Sequence, residues 1–141
     1  MRIETTDAPS EADQATVLSG LATYNQIAPA VTAQPIAVWV RDEDDQVVGG
    51  LYGQTGARWF FIEYFWLPEH LRGSGTGAAV LRRAEEEAVA RGCIGAWLDT
   101  FSFQAPGFYE RQGYSAFGVL DDFPAGERRH FMSKRLDRAA G

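Results

Sequence analysis

The fold of this chain is decided by one stretch, which reads IEYFWLPEHL at residues 62–71, RGSGTG at residues 72–77 and AAVLRRAEEEAVAR at residues 78–91. It predicts a strand, a glycine-rich turn and a helix that begins near Thr76. The glycines leave the turn without Cβ atoms, so a bulky anion can approach its amide groups directly. The free N–H groups and the positive end of the helix dipole point at the same turn. The stretch therefore predicts a binding site for a phosphate or a pyrophosphate.

Two other phosphate-binding motifs fit less well. A P-loop requires a lysine directly after the last glycine, and Ala78 follows Gly77 here. The dinucleotide motif G-x-G-x-x-A matches Gly73, Gly75 and Ala78, and Asp99 lies about where an acidic ribose ligand would be. Too few residues follow the motif to complete a six-stranded doubly wound sheet, which disfavours this alternative. A glycine-rich turn without a ligand stays open.

The pattern R-x-x-G-x-G at Arg72, Gly75 and Gly77 resembles the acyl-coenzyme A loop of the GNAT superfamily of N-acetyltransferases. The resemblance continues in an aromatic-rich strand before the loop, in a charged helix that ends in RGC, and in FYERQGY at residues 108–114. It covers about residues 59–120. It implies an α/β (α+β) fold with a mixed, mostly antiparallel sheet of six to seven strands, a central parallel strand pair and about four flanking helices.

Size and composition indicate one compact enzyme domain over residues 1–141. The 45% hydrophobic content argues against disorder. A net charge of −6 disfavours nucleic acid as a partner and suits a cationic substrate. Cys93 stands alone, so no disulfide is expected within the chain. Because a signal sequence and a membrane-length apolar run are both lacking, we expect a cytoplasmic protein that binds no membrane. A homodimer is compatible with these features.

Local patterns predict the other elements. A short strand is expected at residues 2–5, and a capping box at residues 10–13 opens a helix that ends near residues 25–29. Charged residues of the long helix, Glu85 among them, should face water. The strand at 94–98 should run parallel to the strand at 58–67, because a helix crosses between them. The strands expected after the first helix are 35–41, 46–52, 58–67, 94–98, 114–120 and 128–136, with a turn at 53–57.

Glu63 is the charged residue inside the aromatic strand. Its neighbours in sequence are apolar, and apolar surroundings raise the pKa of a carboxyl group. Such a carboxylate is a candidate general base. Strict alternation places Glu63 on the same face as Phe61, Phe65 and Leu67. The resemblance adds that polyamine acetyltransferases of the superfamily carry a glutamate at this offset from the loop arginine. A structural carboxylate paired with an arginine is the alternative.

The resemblance also implies where the cofactor binds. The pantetheine arm of coenzyme A would lie between two parallel strands that splay apart, bonded by the backbone of Trp66 and Leu67, with an N–H near Leu67 for the oxyanion. The family pattern N-x-x-A-x-x-[LF]-Y maps onto residues 102–109, with Ser102 in place of asparagine and Tyr109 as general acid. A purely structural aromatic is the alternative for Tyr109. The expected cofactor ligands are Trp66, Leu67, Arg72, Gly73, Ser74, Gly75, Thr76, Gly77 and Ser102.

Four acceptor-site candidates follow from the same resemblance. Tyr24 and Asn25 end the first helix, and Asp121 and Asp122 lie in a loop before the last strand. Core packing is the alternative for Tyr24, and turn formation is the alternative for the two aspartates. The expected function is the transfer of an acetyl group from acetyl-CoA to a primary amine by direct attack, with Glu63 as base and without a metal. A non-catalytic module that binds acyl-CoA is the alternative.

Overall fold

The computed structural model describes residues 1–25, 33–102 and 104–138, apart from the side chain of Asn25. The chain forms two compact units, Met1–Thr32 and Ala33–Gly141. The first unit contains helix α1 (Glu11–Asn25). The second contains β1 (Gln34–Arg41), β2 (Val47–Gly56), β3 (Trp59–Trp66), a 3-10 helix (Glu69–Leu71), α2 (Thr76–Ala90), β4 (Gly95–Phe101), α3 (Pro106–Arg111), β5 (Ser115–Asp121) and β6 (Arg128–Arg135). Among the described residues, no helix has the length and apolar character needed to cross a bilayer.

Helix α1 begins where its sequence predicts. The Ser10 hydroxyl accepts a hydrogen bond from the N–H of Asp13 at 3.1 Å, and this satisfies one of the N–H groups that a helix leaves unpaired at its start. The prediction of a strand at residues 2–5 is wrong, since residues 1–10 form neither strand nor helix. A strand exists only beside a hydrogen-bonded neighbour, and four residues without a marked pattern do not specify one.

The second unit contains a six-stranded sheet in the order β1-β2-β3-β4-β6-β5. Neighbouring strands are antiparallel, except that β3 and β4 are parallel. Helix α2 crosses between these two strands, because parallel neighbours need a long connection. The predicted mixed sheet with a central parallel pair is confirmed. A doubly wound dinucleotide-binding fold is excluded, since its sheet would be mostly parallel.

The amphipathic pattern of α2 builds the core of this unit. Its buried face consists of Val80, Leu81, Ala84 and Ala88, as the helical period predicts. Leu51 of β2 and Phe60 and Ile62 of β3 belong to the same buried cluster. Each large apolar side chain buried in this way contributes about 1.5–3 kcal/mol. The start of α2 is therefore held firmly beside the strand that precedes it.

The turn between β2 and β3 is tighter than predicted. Strand β2 continues to Gly56, and the turn residues are Ala57 and Arg58, whose φ angles are 50° and 65°. A two-residue turn with positive φ at both positions matches the twist of a hairpin. The prediction of a turn at residues 53–57 is wrong because Gly53 lies within a strand. A Cβ there would lie 2.3 Å from the carbonyl oxygen of Phe61.

The parallel ladder between β3 and β4 is short. It consists of three residue pairs, the last of which joins Phe61 to Trp97. Strand β3 then continues to Trp66 and β4 to Phe101 without further pairing to each other. Strands that have separated leave backbone N–H and C=O groups that need other partners. This opening forms the candidate active site.

Candidate active site

A cleft of about 490 Å³ lies where β3 and β4 separate. Residues 62–67 form one wall and residues 98–100 form the other. A second cavity of about 450 Å³ lies against the glycine-rich turn. The residues that line both cavities are Phe65, Leu67, Arg72, Ala105 and Tyr109. Because they share these residues, the cleft and the cavity at the turn adjoin each other.

The three glycines of the turn have different roles. Gly73 and Gly75 have φ angles of 74° and 86°, in the left-handed region that other residues adopt only with strain. A Cβ at either position would meet no atom within 4 Å, so conformation rather than crowding requires glycine there. At Gly77 a Cβ would lie 3.3 Å from the ring of Phe108. Gly77 therefore lets α2 pack closely against α3.

The first turn of α2 presents backbone donors to the cavity. Gly75 occupies the cap position and has no side chain to bond the helix. The hydroxyls of Ser74 and Thr76 bond each other at 2.9 Å, and Ser74 donates to the carbonyl of Leu71 at 2.8 Å. The predicted contact of Thr76 with the cofactor stays a prediction. The first N–H groups of α2 lack an intrahelical partner, which suits an anion.

Arg72 ties the glycine turn to the end of β3. Its Nε donates a hydrogen bond of 2.9 Å to the carbonyl of Leu67. Its side chain lines both the cleft and the cavity at the turn. No carboxylate in the described part of the chain forms an ion pair with it. The guanidinium charge is therefore available to a phosphate, with which it can form charge-assisted hydrogen bonds.

Trp66 and Leu67 follow the part of β3 that has separated from β4. Leu67 is buried and lines both cavities, whereas Trp66 is exposed and lines the cleft. Both lie beyond Phe61, the last residue of the parallel ladder. The Leu67 carbonyl already accepts a bond from Arg72. Any further bonds of these backbone groups toward β4 must be made with a ligand or with water.

A β-bulge isolates Glu63 within β3. The register with β2 passes from Ile62 to Tyr64, so Glu63 is the extra residue. The inward-facing residues are Phe60 and Ile62 before the bulge and Phe65 and Leu67 after it. The alternation changes phase at the bulge, because one additional residue moves every later side chain to the other face. The prediction that Glu63 shares a face with Phe65 and Leu67 is therefore wrong.

Glu63 is exposed at the border of the cleft. The amide of Gln54 donates a hydrogen bond of 2.7 Å to its carboxylate. Gln54 pairs with Phe61 in the ladder, so Glu63 shares the face of Phe61 as predicted. The apolar burial on which the base prediction rested is absent, and no arginine of the described residues pairs with Glu63. A carboxylate in contact with water can still accept a proton at the cleft.

Tyr109 lies at the junction of the two cavities. Its ring packs edge-on against Phe108 and Tyr114, with ring centroids 5.2 and 5.9 Å apart. Its hydroxyl has no hydrogen-bond partner among residues 1–25, 33–102 and 104–138. Burial raises the pKa of Tyr109 to about 12, so the hydroxyl keeps its proton at neutral pH. A protonated donor that borders the cleft is what a general acid requires.

A polar cluster fixes the end of α3. The Tyr114 hydroxyl donates to Glu85 at 2.8 Å, and Lys134 donates two bonds of 3.1 Å to the same carboxylate. The Tyr114 N–H donates to the carbonyl of Tyr109 at 3.0 Å. Burial and the Glu85 carboxylate raise the pKa of Tyr114 far above its usual range. The prediction that Glu85 faces water is wrong: its side chain is 12% exposed, because it joins α2 to β6.

Three polar residues of the cleft were not selected from the sequence. Asp99, Thr100 and Gln104 all line it. The buried Thr100 hydroxyl donates to the side-chain oxygen of Gln104 at 3.1 Å, and Asp99 forms an ion pair of 2.8 Å with Arg129. Asp99 was considered only as a ribose ligand of the dinucleotide alternative. The available signal for Asp99 and Thr100 was their position late in β4, and Gln104 lies between β4 and α3. Only the separation of β3 and β4 turns these positions into a site.

Ser102, Asp121 and Asp122 line neither the cleft nor the cavity at the turn. The Ser102 hydroxyl donates to Glu127 and accepts a hydrogen bond of 3.1 Å from the N–H of Arg128. Asp121 pairs with Arg128 at 3.1 Å, and Asp122 accepts a backbone hydrogen bond of 3.2 Å within its own turn. Asp121 is the last residue of β5 rather than a loop residue, and its ion pair joins the ends of β5 and β6. Contacts of Ser102 with the cofactor and of the aspartates with the acceptor stay predictions.

Tyr24 and Asn25 end α1 and therefore belong to the first unit. The cleft, the glycine turn and Tyr109 all belong to the second unit. The predicted contacts of Tyr24 and Asn25 with the acceptor stay predictions.

Comparison with known proteins identifies the family of this chain. Residues 4–114 match the model of the Acetyltransferase (GNAT) family. An acetyltransferase of Agrobacterium fabrum is 37% identical over 99 residues, which cover 70% of this chain and 72% of that protein. A blasticidin-S acetyltransferase of Streptomyces morookaense is 36% identical over 112 residues, which cover 77% of this chain and 82% of that protein. The crystal structure of an acetyltransferase from Bacillus cereus has a TM-score of 0.83 at 29% identity, covering 94% of this chain and 97% of that chain.

This chain belongs to the acetyltransferase (GNAT) family. It is an acyl-CoA-dependent acetyltransferase, as the R-x-x-G-x-G pattern and the elements around it predict. The fold of its second unit is the mixed sheet that the resemblance implied.

Proposed function

We propose that this enzyme transfers an acetyl group from acetyl-CoA directly to a primary amine, with Tyr109 as the general acid. The observation that carries the proposal is the shared lining of the two cavities. A donor anchored at the glycine turn extends into a cleft that Tyr109 borders. The family match at residues 4–114 includes residues of both compact units, which supports a single catalytic domain.

The acyl donor is anchored by its diphosphate at the start of α2. The N–H groups of the first turn and the guanidinium of Arg72 supply the positive potential there. The pantetheine arm lies between the separated strands β3 and β4, where the backbone of Trp66 and Leu67 borders the cleft. The Leu67 N–H stabilises the negative charge that develops on the thioester oxygen.

The acceptor amine loses its proton before it attacks. Lysine-like amines have pKa values near 10, so the acceptor arrives as an ammonium ion. Glu63 takes that proton through water, because its carboxylate is exposed at the border of the cleft. The free amine then forms a C–N bond to the thioester carbon and the C–S bond breaks. The nitrogen releases its second proton to water as the amide forms, and Tyr109 regains a proton from water after it has protonated the sulfur. No covalent intermediate with the enzyme is needed, because both reactants are held together.

Tyr109 returns a proton to the sulfur that leaves. Its pKa of about 12 lies about 3.5 units above that of a thiol, which corresponds to about 5 kcal/mol against complete proton transfer. The real cost is smaller, since burial in the same cleft also raises the pKa of the departing thiol. A donor of this kind is suited to a hydrogen bond that strengthens as charge develops on sulfur.

The acceptor is a small cationic amine in this proposal. The chain carries a net charge of −6, and the carboxylate of Glu63, which has no ion-pair partner among the described residues, borders the cleft, so a cation is attracted to it. The similarity to a blasticidin-S acetyltransferase makes blasticidin S the first acceptor to test.

The test is the release of free thiol from acetyl-CoA with blasticidin S and a panel of polyamines, amino acids and aminoglycosides. Direct transfer predicts that initial rates give intersecting lines when both substrates are varied. Parallel lines, or a burst of thiol release without an amine, would contradict it. Release of thiol with none of the amines, despite binding of acetyl-CoA, would reject the proposed acceptor class.

A further inference from the structure

Asp99 lies on the wall of the cleft opposite Glu63. Phe61 and Trp97 form the last pair of the parallel ladder, and their ring centroids are 4.2 Å apart. Glu63 lies on the face of Phe61, because its carboxylate is bonded to Gln54, which pairs with Phe61. Asp99 lies on the face of Trp97, because alternate residues of a strand share a face. The two carboxylates therefore border the opening from its two sides, on the same face of the sheet.

Only one oxygen of the Asp99 carboxylate is bonded within the described residues. Nε and a terminal nitrogen of Arg129 both contact Oδ1, at 2.9 and 2.8 Å. The other oxygen, Oδ2, has no hydrogen-bond partner in residues 1–25, 33–102 and 104–138. The Asp99 side chain is 19% exposed, and a carboxylate that is largely removed from water is costly to leave half bonded. A ligand in the cleft can supply the missing donor.

Arg129 fixes the direction in which the Asp99 carboxylate points. Its guanidinium carbon lies 5.4, 4.7 and 5.5 Å from the ring centroids of Phe101, Phe123 and Phe131. These cation–π contacts attract the guanidinium and restrict its movement. The ion pair also matches the charge of Asp99, so this carboxylate adds little to the attraction of cations. It offers the cleft a hydrogen-bond acceptor with a fixed direction instead.

We propose that Asp99 binds the acceptor amine, with Oδ2 accepting a hydrogen bond from one N–H group of the amine. The inference rests on the proposed function, because it takes the amine to attack in this cleft. A primary ammonium group that has lost one proton to Glu63 keeps two N–H groups and gains a lone pair on nitrogen. A fixed acceptor for one N–H limits the rotation of the nitrogen, so the lone pair is directed at the thioester carbon. Glu63 thus removes the proton, and Asp99 sets the orientation of the nucleophile.

A purely structural ion pair is the alternative for Asp99, because Arg129 lies on the neighbouring strand β6. That role uses Oδ1 alone and does not depend on the group at the position of Oδ2. Asp99→Asn separates the two roles. Its amide oxygen faces Arg129, since both guanidinium nitrogens are donors, and its amide NH2 then takes the place of Oδ2. The bond to Arg129 is kept, while the acceptor in the cleft becomes a donor.

The experiment measures thiol release from acetyl-CoA by the whole chain with blasticidin S or, if this is not acetylated, with the amine of the panel that has the highest kcat/KM. Asp99→Asn should lower kcat/KM for the amine by about tenfold or more, because a hydrogen bond to a charged group is replaced by two opposed donors. The KM for acetyl-CoA should stay within about twofold of the wild type. Asp99→Ala should show the same division, and urea unfolding of each variant shows whether it is folded.

Asp137→Asn is the matched control. Asp137 accepts hydrogen bonds of 2.9 and 2.7 Å from Arg135 and lines neither the cleft nor the cavity at the turn. The substitution makes the same change of side chain and charge in another arginine-paired aspartate, so it measures the effect of charge alone. We expect kcat/KM for the amine to stay within about twofold of the wild type.

The outcomes separate this inference from the proposed function. If kcat/KM for the amine is unchanged in a folded Asp99 variant, the pair with Arg129 is structural and the inference is overturned, while the transferase proposal stands. An equal rise in the KM for acetyl-CoA would overturn it too, since it would place Asp99 at the donor. If both Asp99 variants unfold, the stability of the sheet accounts for the residue, which also overturns the assignment. If the wild type releases thiol with no amine of the panel, the proposed function fails and this inference fails with it.

Discussion

The glycine turn borders the cavity at the start of α2 and Glu63 borders the adjoining cleft, but the two regions differ in how far apart in the chain the residues that shape them lie. The turn depends on Gly73 and Gly75, whose positive φ angles are set within a few residues of chain. The position of Glu63 depends on a bulge in the ladder with β2 and on a hydrogen bond to Gln54 on that strand. The proposed donor site is therefore encoded in one contiguous motif, whereas the proposed acceptor site depends on strands that pair at long range.

Replacement of Tyr109 tests the point at which the two regions meet, and we expect the largest effect there. Tyr109→Phe should lower kcat by about 10²-fold or more, as loss of a general acid does, with little change in the Kd of acetyl-CoA. Steady-state kinetics and calorimetry measure the two quantities. Tyr52→Phe, which lies on β2 and lines neither the cleft nor the cavity at the turn, is the control. Equal losses in kcat and in affinity would assign Tyr109 to binding instead of proton transfer.

The stability of the enzyme at alkaline pH tests the burial of Tyr109. A tyrosine whose pKa is raised by burial destabilises the folded state when the pH is high enough to ionise it. The pKa of Tyr109 is raised to about 12 in the folded state against about 10 in the unfolded chain. Its contribution is complete below pH 10 and is lost as the pH rises toward 12, which amounts to about 3 kcal/mol. Tyr114 acts in the same direction.

Urea unfolding at pH 8 and pH 11 measures this contribution. Tyr109→Phe should lose less stability than the wild type between the two pH values. If both proteins lose the same amount, burial of the Tyr109 side chain does not raise its pKa. The wild-type kcat should also show no alkaline decline caused by Tyr109 below about pH 11.

Replacement of a glycine tests whether the donor region needs its backbone conformation. Gly75→Ala should cost about 1–2 kcal/mol of stability because of the positive φ, and it should also raise the KM for acetyl-CoA. Gly92→Ala is a close control, since Gly92 has a φ of 85° against 86° at Gly75 and a Cβ would meet no atom within 4 Å at either residue. The strain is therefore the same, but Gly92 lies at the far end of α2. An equal rise of KM in both variants would show that strain alone is responsible.

Replacement of Glu63 tests the acceptor region, and we expect the smallest effect there. Glu63→Gln should lower kcat by about tenfold, because an exposed carboxylate that acts through water is partly replaced by water itself. The KM for acetyl-CoA should not change. Glu69→Gln, in the 3-10 helix and outside both cavities, provides the control. If kcat is unaffected at all pH values, Glu63 is structural and its bond to Gln54 is its role.

The glycine turn and the helix that follows it could be predicted from the sequence, because the residues that specify them lie within one stretch. The glycines at 73, 75 and 77, the helix start at Thr76 and the buried face of α2 all follow from spacing within one stretch. The sequence did not show that the three glycines have different roles. The close approach of Gly77 to Phe108 joins residues far apart in the chain.

The surroundings of Glu63 were harder to predict, because one bulged residue moves every later side chain of the strand to the other face of the sheet. Alternation along β3 placed Glu63 with Phe65 and Leu67, and the bulge separates them. The same limit explains Glu85, whose charge suggested a solvated face. Its bonds with Lys134 of β6 and with Tyr114, the residue before β5, depend on contacts between elements far apart in the chain, and no local pattern encodes those contacts.

The central claim is that the backbone N–H groups between Arg72 and Gly77 bind the diphosphate of coenzyme A. The most direct measurement is a titration of the isotopically labelled chain with coenzyme A, monitored by NMR. The amide shifts to compare are those of residues 73–77 and those of residues 42–45, which form the hairpin turn between β1 and β2. The account predicts large, saturable shifts at the glycine turn and none at the hairpin turn. Unchanged amide shifts at residues 73–77 in the presence of saturating coenzyme A would contradict it.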